Sequence, residues 1–228
     1  MGVDTSTSIL ERRAIRRYTP DPVPDDVLRD ILAEARWAPS ATNTQSTYIY
    51  ALSGEPLREF KVAMRQYVES EAQPTPDFPP SAAMPEKLLA RQQDLFQTRA
   101  AFVAAEEAKT GVPLAEPAVS PMIAAADIFG APTVLVLTYD EGFSDSYGCF
   151  DAGLFSMCIT LAAHSRGLGT CITASNVRYP NLLRKIIPGA DKQKILMAIA
   201  IGYPDLEAPV NRFPRTRLSV DEFLRFVR

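Results

Sequence analysis

The sequence predicts an α+β fold in which helices outnumber strands, and two observations carry that reading. Pro132-Thr-Val-Leu-Val-Leu-Thr-Tyr139 and Lys194–Gly202 are continuous apolar runs of strand length, the mark of buried central strands. Around them lie longer segments whose apolar residues recur at helical spacing.

The elements follow in order. Ser8–Arg13 reads as a short first helix with Thr7 or Ser8 as its cap. Thr19-Pro-Asp-Pro-Val-Pro24 is a rigid turn that no helix crosses. Asp25 can cap the next helix, with Val27, Leu28, Ile31, Leu32 and Ala35 in register, and Pro39 stops it. Residues 39–46 form a polar loop. Tyr48–Leu52 is rich in β-formers and reads as a strand. Ser53-Gly54 turns the chain into a helix over Glu55–Glu69.

Between Glu71 and Pro85 five prolines exclude regular structure. Glu86–Lys109 reads as a long helix and Gly111–Pro121 as another Pro-bearing connection. The region 71–121 reads as an insertion on one domain spanning 1–228, because its helix lacks a partner long enough for a separate core. Cys149–Arg166 is apolar on most faces and is expected to be buried, with Gly167 ending it. Thr170–Thr173 is a short strand, Tyr179–Ile187 a helix closed by Pro188-Gly189, and Ser219–Val227 a short amphipathic helix.

Composition narrows the function. At 228 residues, 46% hydrophobic and 22% charged, the chain suits one large domain. A net charge of -3 offers no reason to expect a nucleic-acid partner. The polar stretch Met1–Ser8 lacks the features of a signal peptide, and no apolar run reaches bilayer length, so a cytoplasmic protein without a membrane partner is expected. Cys149, Cys158 and Cys171 form no CxxC pair, and with His164 as the single histidine no metal site is expected. The thiols read as small core residues, and His164 as core packing within an apolar helix. A dinucleotide fingerprint, a nucleophile elbow and a P-loop are all absent.

Three clusters could carry chemistry. Arg12-Arg13-Ala14-Ile15-Arg16-Arg17 places four arginines beside the proline turn, and planar guanidinium forks suit phosphate oxygens. Asn211-Arg-Phe-Pro-Arg215-Thr-Arg217 sets three more in a loop after a central strand. Ala38–Gln45 is dense in short hydrogen-bonding side chains. Alone, each also fits a bland reading: a solvated basic face, arginines near a chain end, a generic turn.

Taken in register, these clusters make the sequence resemble the FMN-dependent nitroreductase family. Arg12-Arg13-Ala14-Ile15-Arg16 is similar to its Arg-Arg-Ser-x-Arg signature. Ala38-Pro-Ser-Ala-Thr-Asn43-Thr-Gln45 is similar to its Ala-Pro-Ser-x-x-Asn-x-Gln loop. Gly167-Leu-Gly-Thr170, Ile201-Gly-Tyr-Pro204 and Arg215-Thr-Arg217 match later landmarks, so the likeness covers nearly the whole chain.

The resemblance implies a three-layer α/β/α fold with a mostly antiparallel sheet. It also implies an intertwined homodimer, with FMN at the interface and a C-terminal segment wrapping the partner. It implies that Arg12, Arg13 and Arg217 hold the FMN phosphate, assisted by Arg215 and close to Ala14. Arg16 would lie near the pyrimidine edge, where a positive charge favours the reduced anion. Pro39, Ser40, Ala41, Thr42, Asn43 and Gln45 would bind the cofactor, with Ser40, Thr42, Asn43 and Gln45 coming from the partner subunit, and Ile172, Thr173, Ala174 and Ser175 would lie against the ring. NADH or NADPH would deliver hydride to N5 and a small acceptor, nitroaromatic or quinone-like, would follow in a ping-pong cycle. Phe96 or Phe102 could gate that acceptor.

Three departures bear on the site. Ala14 replaces a serine, Ser46-Thr47 replaces Pro-Trp, and Ala174 stands where some members carry glutamate. Relatives run dehydrogenation, dehalogenation or flavin breakdown, and a non-catalytic flavin-binding protein or a plain structural dimer is the rival from another class.

Overall fold

The computed structural model describes residues 4–81, 83–110 and 121–228. The expected connection over Gly111–Pro121 and the start of the N-terminal stretch lie largely outside them. Helix α1 (Thr5–Glu11) begins earlier than the sequence suggests, because Asp4 caps it and accepts from the Thr7 amide at 3.2 Å. It ends at Glu11, where Arg12 turns extended. The arginine run therefore enters an open segment and not a helical turn. Helix α2 (Asp25–Ala35) starts directly after Pro24, with Asp25 and Asp26 in its first turn favouring the helix dipole.

Strand β1 (Thr47–Ser53) leads into α3 (Gly54–Glu69), which buries Leu57, Phe60 and Met64 at i, i+3 and i+7. Next come α4 (Glu86–Thr110) and α5 (Pro121–Ala126), then β2 (Thr133–Asp140) and α6 (Asp145–His164). After β3 (Gly169–Thr173) come α7 (Pro180–Ile186), β4 (Gln193–Gly202), α8 (Pro209–Arg212) and α9 (Val220–Phe223).

The strands form one antiparallel sheet in the order β1-β2-β4-β3. The two apolar runs thus occupy its centre, as their composition requires. Alternation along β2 splits its residues between two cores. Val134 and Val136 face Phe60, Met64 and Leu183 from α3 and α7. Leu135 and Leu137 face Leu28, Ile31, Ala152 and Ile159 from α2 and α6. Each such fully buried side chain contributes about 1.5–3 kcal/mol. Helices on both faces of an antiparallel sheet make the expected three layers.

Helix α6 starts four residues before the sequence suggests. Gly148, a poor helix former, is required there: a Cβ would stand 2.8 Å from the Tyr139 ring. By length and mean apolarity α6 could cross a bilayer, contrary to the expectation that no run is long enough. Its buried residues, among them Asp151, Ala152, Ile159 and Ala163, lie instead within the fold. On another face Tyr147, Phe150 and Met157 are exposed.

The proline-rich stretch 71–81 runs over one end of the sheet. Asp77 accepts from Arg184 at 2.6 Å and from the Ile195 amide at 2.8 Å, and Tyr179 donates to the Ala72 carbonyl. The C-terminal helix is shorter than expected, Val220–Phe223 only, closed by a capping box between Ser219 and Glu222. Beyond it Leu224, Phe226 and Val227 are exposed, and a short amphipathic segment without a packing surface has little to hold it helical.

Candidate functional site

The first and second arginine clusters, two hundred residues apart in sequence, meet. Ile15 donates its amide to the Thr170 carbonyl at 2.9 Å, which lays residues 14–16 along the start of β3. Gly169 permits this: a Cβ there would stand 2.5 Å from Ile15 Cγ1. At Gly202 a Cβ would stand 2.6 Å from Pro132 Cδ and 3.0 Å from the ring of Tyr18, whose hydroxyl donates to the Ile15 carbonyl at 3.0 Å. These glycines are physical reasons for two of the sequence landmarks.

Asn211 ties the clusters together. It is buried, accepts the Arg16 amide at 2.7 Å, and donates to the carbonyls of Arg17 and Asp205, each at 2.8 Å. Its own carbonyl accepts from the Arg13 guanidinium. Arg215 reaches back to the carbonyls of Leu10 and Arg12, so it braces the segment that carries Arg12.

The electrostatics call for an anion. Arg215 is pulled below the ordinary arginine range first by burial and then by Arg13, Arg217 and Arg12, with Glu11 as the opposing acid. Arg12 Nε is buried without a hydrogen-bond partner, a donor left for something outside the chain. A phosphate fits both facts, since it neutralises the repulsion and accepts the orphaned proton. Ala14 offers no hydroxyl to such an anion. Arg217 is exposed and donates to its neighbour Thr216.

A cavity of about 400 Å3 lies beside this cluster, lined by Arg12, Arg13, His164, Thr170, Asn211 and Arg212. His164 is therefore half-buried at the cavity wall and not core packing, because α6 ends there and exposes its last turn.

The end of β3 and the residue after it alternate in exposure. Ile172 is 44% exposed and Ala174 is exposed, while Thr173 between them is buried, as strand alternation requires. Strand β3 is also an edge of the sheet. Cys171 is buried, and burial pushes its thiol up while Arg16 and Arg99 oppose the shift. Cys149 and Cys158 are half-buried.

The third cluster stands elsewhere. Residues 39–45 lead into β1, at the opposite edge of the sheet from β3, three strand spacings or about 14 Å away. One chain thus joins two of the expected clusters and not the third.

That loop is unusual in itself. Thr42, Asn43 and Gln45 all have positive φ, at 48°, 59° and 50°. Ser40 Oγ accepts the Gln45 amide at 2.9 Å across the loop. Asp151 of α6 holds it from beneath. This buried carboxylate accepts the Ala41 amide with both oxygens, at 3.1 and 3.2 Å, and Ser46 Oγ at 3.5 Å. Ser46, one of the departures from the family pattern, turns inward to this acid. Sequence reading missed Asp151, although an acid in an otherwise apolar helix was the available signal.

Arg99 was also missed. On α4, Arg99, Phe102 and Glu106 follow at i, i+3 and i+7 and so share a face. Phe102 packs edge-on against Phe213 with centroids 5.7 Å apart, and Glu106 pairs with Arg212 at 3.4 Å. Phe102 is thus a packing residue at this contact, whereas Phe96 is 50% exposed.

Residues 9–203 match the sequence profile of the Nitroreductase family. A 4-nitrobenzoate reductase of Pseudomonas putida is 29% identical, over 98% of this chain and 96% of that protein. Among solved structures, an FMN-dependent nitroreductase NfnB from Mycobacterium smegmatis in complex with NADPH is 26% identical. It superposes with a TM-score of 0.81, covering 98% of this chain and 97% of that one. The FMN- and NADPH-dependent NfnB of Sphigopyxis sp. strain HMH, 23% identical, has the same fold at a TM-score of 0.86 over 99% of both chains.

Proposed function

The chain belongs to the nitroreductase family, and on that footing we propose that it is an NAD(P)H-dependent FMN oxidoreductase that reduces a small organic acceptor. The observation that carries the reading is the convergence of Arg12, Arg13, Arg215 and Arg217 around an orphaned guanidinium donor. Held by Arg12, Arg13 and Arg217, FMN would supply the redox chemistry between NAD(P)H and a nitroaromatic or quinone-like acceptor, in a ping-pong exchange.

The chain's own residues do the rest. Arg12, Arg13 and Arg217 bind the phosphate, and Arg215 holds Arg12 in place. Arg16 sets a positive charge beside the pyrimidine edge, which favours the reduced anion. Ile172, Thr173, Ala174 and Ser175 lie against the ring, and the exposed Ile172 shields it from water. With alanine at 174, no carboxylate at that position holds a proton beside N5.

Pro39, Ser40, Ala41, Thr42, Asn43 and Gln45 serve the site of the partner subunit. The distance across the sheet supports this, since one chain separates them from β3. Three further features support a homodimer: the exposed stripe Tyr147, Phe150 and Met157, the edge of β3 beyond Thr170, and the apolar tail that carries Phe226 and Val227. A single domain with an insertion at about 71–121 and a cytoplasmic location belong to the same proposal.

The test is the double substitution Arg12→Ala, Arg217→Ala. It should release FMN while leaving a folded dimer, since each charge-assisted bond is worth about 1.5–3 kcal/mol. A double variant that retains its flavin refutes the phosphate assignment.

A further inference from the structure

Resting on the flavin reading above, we propose that Arg99 is a specificity residue that binds the carboxylate of an anionic aromatic acceptor. The site as the family pattern describes it has work for Arg16 but none for Arg99, which comes from the 71–121 segment. The face that carries Arg99 is held against the second arginine cluster by its neighbours. Phe102 locks onto Phe213 and Glu106 pairs with Arg212, and Arg99 stands close enough to Arg16 and Cys171 to interact electrostatically with both.

The charge there is uncompensated. Arg99 makes no ion pair or side-chain hydrogen bond among the described residues, although it is partly buried. Burial lowers its proton affinity first, and Arg16 lowers it further, with only the weak thiol of Cys171 opposing. Arg16 spends one nitrogen on the Ala14 carbonyl at 3.3 Å. Two guanidinium groups that repel each other, one of them without an acidic partner among the described residues, favour an anionic visitor.

The shape of that visitor follows from Phe96. Its ring lies under the Arg99 guanidinium, 5.5 Å from centroid to Cζ, and is half exposed. A flat ring beside a planar cation matches an aromatic acid, its ring against Phe96 and its carboxylate on the fork of Arg99. Ile172 and Ala174, at the end of β3, add exposed apolar surface.

The experiment uses the FMN-loaded protein and its Arg99→Gln and Arg99→Lys variants. Binding is read by calorimetry with unreactive benzoate and benzamide on the oxidised protein. Turnover is read with 4-nitrobenzoate and 4-nitrobenzamide. Arg99→Gln should lose about 10- to 100-fold in benzoate affinity and in kcat/KM for 4-nitrobenzoate, the range of one charge-assisted pair. Both amides should change by less than about threefold, and Arg99→Lys should recover part of the loss. FMN affinity and the rate of flavin bleaching by NADPH should hold. Equal losses for acid and amide, or no loss for either, overturn the proposal. So does a selective loss of NADPH over NADH, which would assign Arg99 to a donor phosphate, or release of FMN, which would assign it to the flavin. A wild-type protein that never bleaches fails the flavin reading itself, and the proposal with it.

Discussion

Replacing Asp151 with alanine tests whether a buried acid on α6 shapes the loop 39–45. The substitution leaves the Ala41 amide without its acceptor and Ser46 without its partner. A part-buried backbone donor left unsatisfied costs about 1–3 kcal/mol. The loop has a strong tendency to relax, because Thr42 and Gln45 hold left-handed backbone that costs non-glycine residues about 1–2 kcal/mol each. If the ordered loop is needed to complete the partner's site, a loss near 2 kcal/mol weakens FMN binding by roughly 30-fold. The assay is flavin fluorescence on titration of apoprotein, run beside thermal unfolding. Asp151→Asn keeps one acceptor oxygen and should restore most of the affinity. An alanine variant that binds FMN as wild type does, at unchanged stability, refutes the reasoning. Equal damage from alanine and asparagine would mean that the charge, and not the accepted amide, is what matters.

Further perturbations probe other joints of the structure. Gly169→Ala should destabilise by about 1–3 kcal/mol through overpacking on Ile15, and Ile15→Ala in the same chain should relieve part of it; thermal unfolding of the four-member cycle reads the coupling. Cys171→Ala should keep turnover near wild type, because burial holds the thiol protonated at neutral pH; a complete loss would reveal thiol chemistry. Arg166 holds the Glu34 carboxyl below its ordinary range, so its contribution is present above the unfolded value and lost as pH falls through the folded one. Glu34→Gln should therefore cost up to about 1 kcal/mol at neutral pH, an exposed bridge being heavily screened, and nothing in strong acid, as read from melting curves at both.

Much of the fold was legible because its signals are local. The runs 132–139 and 194–202 have a composition that only central strands can use, and the structure puts them there. Helix ends were less legible where tertiary contacts decide them. Gly148 inside α6 reads as a breaker until the Tyr139 ring is seen against it. The tail reads as an amphipathic helix, yet most of it has no surface within its own chain. At the site, the arginines were visible as residues, while their meeting depends on Asn211 and Gly169, whose roles exist only in three dimensions. Asp151 did carry a signal, an acid in an otherwise apolar helix, whereas Arg99 lay in a helix that sequence patterns explain as cover, and nothing in its immediate neighbours marks it.

The central claim is most directly tested by the visible spectrum of the purified protein, before and after anaerobic NADH or NADPH. A flavin spectrum that bleaches with either donor, and returns when a nitroaromatic or quinone acceptor is added, is the expected result. A flavin spectrum that neither donor bleaches would favour a binding role or another source of electrons. A colourless protein that cannot be reconstituted with FMN would contradict the account outright.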